Sequence, residues 1–167
     1  MKGTLKIRKL AVEDVGEGYV NWFKEQGVTE YSDNQYRKFT LEGQKGYVKL
    51  KNSQNNTQLF GIFYGSIHIG NIVLERIDSN HKRAELTYVI GNKDYWGKGI
   101  ATDVIGLIVI KAKQDFGLVK LNASCADKNE GSKKVLLKNN FKIEGIKKKH
   151  LFYNNEWMDQ IDFGLLL

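Results

Sequence analysis

The sequence predicts an α+β protein in which helices flank a mixed, mostly antiparallel sheet, in the order β-α-α-β-β-β-α-β-α-β-β. Three observations carry this prediction. Strand-like runs at 58–64, 66–76 and 82–91 are joined by short turns at Gly65-Ser66 and Asp78-Ser79-Asn80, and such turns close antiparallel hairpins. A strongly apolar helical run then follows a glycine segment and leads into another strand, as in a parallel, right-handed β-α-β step. Finally, 167 residues with 41% apolar content supply one core and one domain, residues 1–167, in which 17 glycines and no proline do the punctuation.

The elements follow in chain order. Residues 4–10 alternate polar and apolar and read as a first strand, not as a leader. Over 13–26, Val15, Tyr19, Trp22 and Phe23 recur at helical spacing before Gly27, which predicts one helix. Thr40 caps a second helix, roughly 41–52, with Glu42 and Gln44 in its first turn. A polar loop then precedes the three strands. The helix after the glycine segment runs to about Asp115. Ile100, Val104, Leu107 and Ile108 make its apolar face, widened by Ile105, Val109 and Ile110, so deep burial against the sheet is expected. Gly117 stops it. A strand at 118–125 sets Val119, Leu121, Ala123 and Cys125 on one face, a short helix spans Asn129 to about Asn139, and strands at 142–152 and 157–166 flank a turn.

Composition narrows the function classes. A net charge of +7 favours anionic partners such as nucleic acid, an acidic surface or a phosphorylated small molecule, although a solvated lysine-rich surface gives the same number. The single Cys125 excludes an internal disulfide and fits a reducing cytoplasm. With three histidines and no ligand spacing, no metal is expected. No apolar run approaches the roughly 18 residues of a membrane helix. Nothing marks an interface, and a homodimer is compatible with the sequence.

The chemistry centres on Trp96-Gly97-Lys98-Gly99-Ile100-Ala101-Thr102. Small residues at a helix start let unpaired N–H groups approach a phosphate, with the helix dipole in support. The same glycines also serve a purely structural turn. A nucleotide-binding P-loop does not fit, because five residues separate Gly91 from Gly97 and Gly99 stands where a hydroxyl is required. A dinucleotide fingerprint fits poorly, because Thr102 takes its last glycine position and antiparallel strands precede the loop.

The segment resembles motif A of the GNAT acetyltransferases, Q/R-x-x-G-x-G/A, with Gly99 and Ala101 matching and Trp96 in place of Gln or Arg. That departure is similar to the subgroup of ribosomal-protein N-terminal acetyltransferases. A second stretch, Asn129-Glu130-Gly131-Ser132 through Asn140-Phe141 to Glu144-Gly145, resembles the family's N-x-x-S/A…G-F…E-G pattern, with Asn140 for glycine. The resemblance implies the GNAT (acyl-CoA N-acyltransferase) fold and acetyl-CoA as cosubstrate. It implies that the amides of Gly97, Lys98, Gly99, Ile100, Ala101 and Thr102, beside Trp96, hold the pyrophosphate. The backbone of Tyr88, Val89 and Ile90 would pair with the pantetheine arm, Asn129 and Ser132 would approach the sulfur, and Lys98, Lys133 and Lys138 are candidates for the phosphates.

The reaction so implied is direct attack of a neutral amine on the thioester. Many family members place a tyrosine acid seven residues after the motif asparagine, but Leu136 stands there. Ser132 is the replacement by motif position, with helix-start bonding as its structural alternative. Glu85 is the candidate base or water-positioning group, with a surface ion pair as its alternative.

The acceptor is expected near the first helices. The stretch from Asn21-Trp22 through Tyr31-Ser32 to Tyr36-Arg37 and Thr40-Leu41-Glu42 is similar to a subgroup tied to surface-polysaccharide synthesis, where nucleotide-linked amino sugars are N-acetylated. Trp22, Tyr31 and Tyr36 would stack on sugar or base and Arg37 would meet a diphosphate; Trp22 serves equally as a core residue of an amphipathic helix. Acetylation of a protein N-terminus or another small amine is the second reading. A nucleic-acid module, prompted by Lys147-Lys148-Lys149-His150, is the third; no nucleic-acid motif accompanies it, so nucleic acid is not expected as a partner.

Overall fold

Residues 3–167 are described by a computed structural model. Strands β1 (Leu5–Lys9), β2 (Gln58–Tyr64), β3 (Ile67–Asp78), β4 (Arg83–Ile90), β5 (Lys120–Ala126), β6 (Lys142–Tyr153) and β7 (Glu156–Leu166) build one sheet in the spatial order β1-β2-β3-β4-β5-β7-β6. β1 to β4 form an antiparallel meander, and β4 and β5 pair in parallel. The predicted strand–helix order holds, and the short turns set the hairpins as expected.

The helices are α1 (Glu17–Trp22), α2 (Gln26–Thr29), α3 (Leu41–Ser53), α4 (Ile100–Phe116) and α5 (Glu130–Lys138). The single helix expected over 13–26 is divided. A 3-10 turn at Val12–Asp14 comes first, and Gly16 then sits in extended backbone at φ −119°, ψ 177°. The Asp14 carboxylate accepts the Ala11 N–H at 2.8 Å and pairs with Arg8 at 2.6 Å, which fixes the chain before the helix begins. Glu25 is extended again between α1 and α2. As expected, Thr40 caps α3 by accepting the Gly43 N–H.

Two apolar layers cover the sheet. On one face α4 buries Ile100, Val104, Ile105, Ile108 and Ala112 against Ile72, Leu86, Leu121 and Phe163. Each fully buried isoleucine contributes roughly 1.5–3 kcal/mol. The stripe is narrower than the sequence suggested: Leu107 and Ile110 face outward, because five buried positions at helical spacing already fill the seam. Val119 is also exposed, since β5 starts at Lys120, two residues later than expected, and alternates through Leu121, Ala123 and Cys125. On the other face Leu10, Tyr19, Trp22, Val48, Leu59 and Phe63 form the second cluster, beneath α1 and α3.

Candidate active site

The parallel pairing of β4 with β5 stops early. Its register runs Arg83–Lys120, Ala84–Leu121 and Glu85–Asn122, after which the strands part. Buried backbone seldom goes unpaired, so the free edge of β4 beyond Glu85 marks a place for a ligand. A cleft opens there in two arms. The larger, about 600 Å³, runs over the glycine loop, and the smaller, about 410 Å³, runs toward α1 and α3. Ser32, Asn34, Tyr88 and Val89 wall both.

The larger arm collects most of the residues expected to meet the cosubstrate. Tyr88, Val89 and Ile90 form one wall, Trp96, Gly97, Gly99, Ile100, Ala101 and Thr102 the rim, and Asn129, Ser132 and Lys138 the far side. Gly97 and Gly99 have φ of 71° and 79°, the left-handed region that costs residues with a Cβ free energy. Gly99 is the N-cap of α4, so the first amides of that helix point into the arm without a side-chain cap. The Trp96 indole donates to the Ile90 carbonyl at 2.7 Å, tying the loop to the end of β4. Lys98 is not part of these walls; its ammonium lies 5.6 Å from the Tyr95 ring. Lys133 pairs with Glu130.

On the wall of the larger arm, Tyr88 donates its hydroxyl proton to Ser132 Oγ at 3.0 Å. Asn129 caps α5 by accepting the Ser132 N–H at 3.0 Å, which sets the serine at the cleft. Burial pushes the Tyr88 phenol up to about 12, so it stays protonated. Burial likewise lifts the Cys125 thiol to about 11, with a hydrogen bond involving Ser132 working in the opposite direction. Leu136 is fully buried and offers no proton.

The smaller arm is made of side chains. Phe23 and Phe39 stack with centroids 4.2 Å apart, and both line it with Tyr19, Tyr47, Arg37 and Lys38. Gln44 and Asn71 also line it, although each is only 5% exposed. Asn71 Oδ1 lies 2.8 Å from His68 Nε2. His68 is boxed by Tyr19, Trp22 and Phe63, and its burial lowers its pKa. Burial raises Tyr47 to about 12. No carboxylate lines this arm among the described residues.

Of the expected acceptor residues, only Arg37 lines the smaller arm. Trp22 is a core residue: its ring lies so close to Gly91 that a Cβ there would come within 2.1 Å of it. Tyr31 lines the larger arm instead. Tyr36 leaves the cleft and donates its hydroxyl to the Phe152 carbonyl, docking the 30–36 segment on the β6–β7 turn. Glu85 lies two residues before Thr87 on β4, bonds Arg76 at 2.9 Å and lines neither arm. Half of the basic run on β6 is ion-paired, Lys147 with Asp162 at 2.9 Å and Lys148 with Asp159 at 2.8 Å.

Sequence reading missed Tyr19, Phe23, Phe39, Tyr47 and Asn71 as cleft residues. Asn71 alone carried a signal, a polar side chain within the apolar run Ile69 to Val73. No cluster of three or more His, Cys, Asp or Glu suited to a metal occurs among the described residues, and no helix there is long and apolar enough to cross a membrane.

Comparison with known proteins agrees with this architecture. A family model described as an acetyltransferase (GNAT) domain matches residues 4–142. The probable N-acetyltransferase YjcK of Bacillus subtilis is 30% identical over 99% of this chain and 96% of its own length. The uncharacterized N-acetyltransferase YoaA of the same organism is 33% identical over 52% of this chain, which spans about half (48%) of that relative. Among solved structures, the ribosomal L7/L12 alpha-N-protein acetyltransferase RimL, in complex with coenzyme A, has a TM-score of 0.86 at 18% identity, covering 98% of this chain and 94% of that one. The spermidine N-acetyltransferase of Vibrio cholerae, in complex with CoA and spermine, also scores 0.86, at 19% identity, covering 97% of this chain and 95% of that one. At such identities the structures speak to the fold alone. The family match over most of the chain, on a sheet split beside a glycine-capped helix, means that this protein belongs to the GNAT acetyltransferase family and is an acetyl-CoA-dependent N-acetyltransferase.

Proposed function

We propose that the larger arm holds acetyl-CoA and that the smaller arm receives a primary amine carried on an anionic, ring-bearing scaffold, of which a nucleotide-linked amino sugar is the leading member. The loop amides of Gly97 to Thr102 bind the pyrophosphate, with Lys138 on the opposite wall. The free edge of β4 at Tyr88 to Ile90 pairs with the pantetheine amides. Ser132 meets the sulfur.

The observation that carries the acceptor reading is the lining of the smaller arm. Arg37 and Lys38 bring positive charge, no carboxylate lines this arm among the described residues, and the Phe23–Phe39 stack offers a flat apolar face. A polyamine would meet repulsion from those cations and no carboxylate among the described lining residues. A diphosphate meets charge-assisted donors, and a sugar or base meets aromatic surface. Buried Asn71 and Gln44 supply the directional polar contacts that distinguish one hydroxylated ring from another.

The test is an acetyl-CoA turnover screen against nucleotide-linked amino sugars, short peptides with free N-termini, and polyamines. Turnover of the first class supports the reading. Turnover confined to peptides or polyamines overturns it.

A further inference from the structure

His68 and Asn71 lie three residues apart on β3, a spacing that a regular strand would put on opposite faces. Here they share a face because of a bulge. Ile62 pairs with Gly70 and Phe63 with His68, which leaves Ile69 without a partner. Downstream the register is regular, with Asn71 opposite Val89 and Val73 opposite Thr87, and all four line the smaller arm. The bulge therefore sets a histidine behind an asparagine of the acceptor arm, with Asn71 Oδ1 2.8 Å from His68 Nε2.

From this we propose that His68 is a positioning residue for acceptor selection: it holds the Asn71 oxygen, leaves the Asn71 NH2 for the smaller arm, and so selects a scaffold that presents an oxygen lone pair there. The inference rests on the smaller arm receiving the acceptor. A hydroxyl, carbonyl or phosphoryl oxygen meets the NH2. A polyamine, protonated away from its reacting nitrogen, offers only N–H donors and leaves the NH2 unpaired.

An amide oxygen only accepts, so the Nε2 atom that faces it carries hydrogen. The ring is held in place for this. Tyr19, Trp22 and Phe63 box it at centroid distances of 5.4, 4.8 and 5.0 Å. Burial favours the neutral ring, which has a single N–H to place, and the Gly70 backbone competes with Asn71 for it. Placed at Nε2, that hydrogen fixes the amide oxygen on the histidine. Placed at Nδ1, it would turn the amide over and give the arm a carbonyl oxygen, the opposite selection. Asn71 is only 5% exposed, so water cannot readily stand in for either partner.

Two measurements on the full chain test it. The first is nitrogen-15 NMR with labelled histidine, in which His68 is one of three and is identified by its loss in His68→Gln. At neutral pH the ring is expected as the Nε2–H tautomer, and Asn71→Leu should move the balance toward Nδ1–H. A wild-type ring in the Nδ1–H form overturns the proposal, whatever the acceptor. The second is steady-state acetylation of UDP-glucosamine, a nucleotide-linked sugar with a free amine. His68→Leu should raise its KM by about threefold to tenfold, the worth of one neutral hydrogen bond, with kcat and the acetyl-CoA melting shift unchanged. In an Asn71→Leu background the same change should cost nothing further in KM. His68→Gln, whose amide can donate from the same place, should recover most of the loss. A role in packing alone predicts additive losses in the double variant, a fall in kcat or no recovery with glutamine, and any of these overturns the proposal. Where His68→Leu does not fold, the tautomer decides. Turnover of spermidine in preference to UDP-glucosamine overturns the selection as well. Turnover of short peptides alone is a separate failure, that of the nucleotide-sugar reading, because a peptide carbonyl also meets the NH2; the KM comparison is then made with the peptide.

Discussion

The two arms of the cleft are built from different materials. The larger is a backbone site, shaped by left-handed Gly97 and Gly99, the uncapped start of α4 and the free edge of β4. The smaller is a side-chain site, made of two aromatic rings in a stack, two cations and two buried amides. A site of main-chain amides needs only small residues at fixed spacing, and many sequences satisfy it. A site of side chains depends on which residues the fold brings together, and each change alters what it accepts.

That contrast can be broken most sharply at the loop. Gly99→Val puts a β-branched residue at φ 79°, where its side chain is strained. The stabilisation of about 2.7 kcal/mol given by a ligand at one hundred times its Kd should vanish from the acetyl-CoA melting shift. Next in size, Arg37→Ala with Lys38→Ala should raise KM for a nucleotide-linked amino sugar by about tenfold or more, since a hydrogen bond to a charged group is worth roughly 1.5–3 kcal/mol. Acetyl-CoA stabilisation should stay unchanged, and a parallel loss of both would show that the arms are not independent.

Smaller effects sharpen the acceptor side. Asn71→Leu deprives the buried His68 ring of its partner. It should lower Tm by several degrees, given about 1–3 kcal/mol per unsatisfied group, and weaken acceptor binding without touching acetyl-CoA. His68 supplies a pH dependence. Its pKa is lowered by burial, so below the ordinary value of about 6.5 the unfolded chain takes up a proton that the folded chain resists. Stability should therefore fall as pH drops below about 6.5 and recover on raising it. His68→Gln should flatten that slope in a series of melting curves. Smallest of all, Glu85→Gln should change turnover by less than about twofold across neutral and alkaline pH, because the carboxylate bonds Arg76 outside both arms. A large loss at neutral pH that fades at high pH would restore Glu85 as the base.

How far the sequence could be read follows the same division. The meander and the β-α-β step were legible because turn chemistry and hydrophobic period are local. Thr40 as a cap, the glycine loop, and Asn129 with Ser132 were legible for the same reason. The break in the first helix was harder to see, because the periodicity of Val15, Tyr19, Trp22 and Phe23 survives across it while Gly16 and Glu25 interrupt the backbone. The aromatic acceptor residues were misassigned because stacking and core packing ask for the same side chains. Trp22 went inward over Gly91, and Phe23, its neighbour in sequence, went to the cleft. Tyr36 was claimed by a contact 116 residues away in the chain, beyond the reach of any local pattern.

That distant contact has company. Tyr153 donates to Asp33 at 3.0 Å, and the Asn154 amide donates to the Glu30 carbonyl at 3.2 Å, so the β6–β7 turn holds the 30–36 segment at several points. Ser32 and Asn34 of that segment wall both arms. The hairpin is thus a bracket on which the wall shared by the two arms hangs. Changes in turn length or sequence at the bracket can redraw that shared wall while the backbone of the glycine loop is inherited intact. In a lineage of such enzymes, new acceptors should therefore arise first through the far end of the chain.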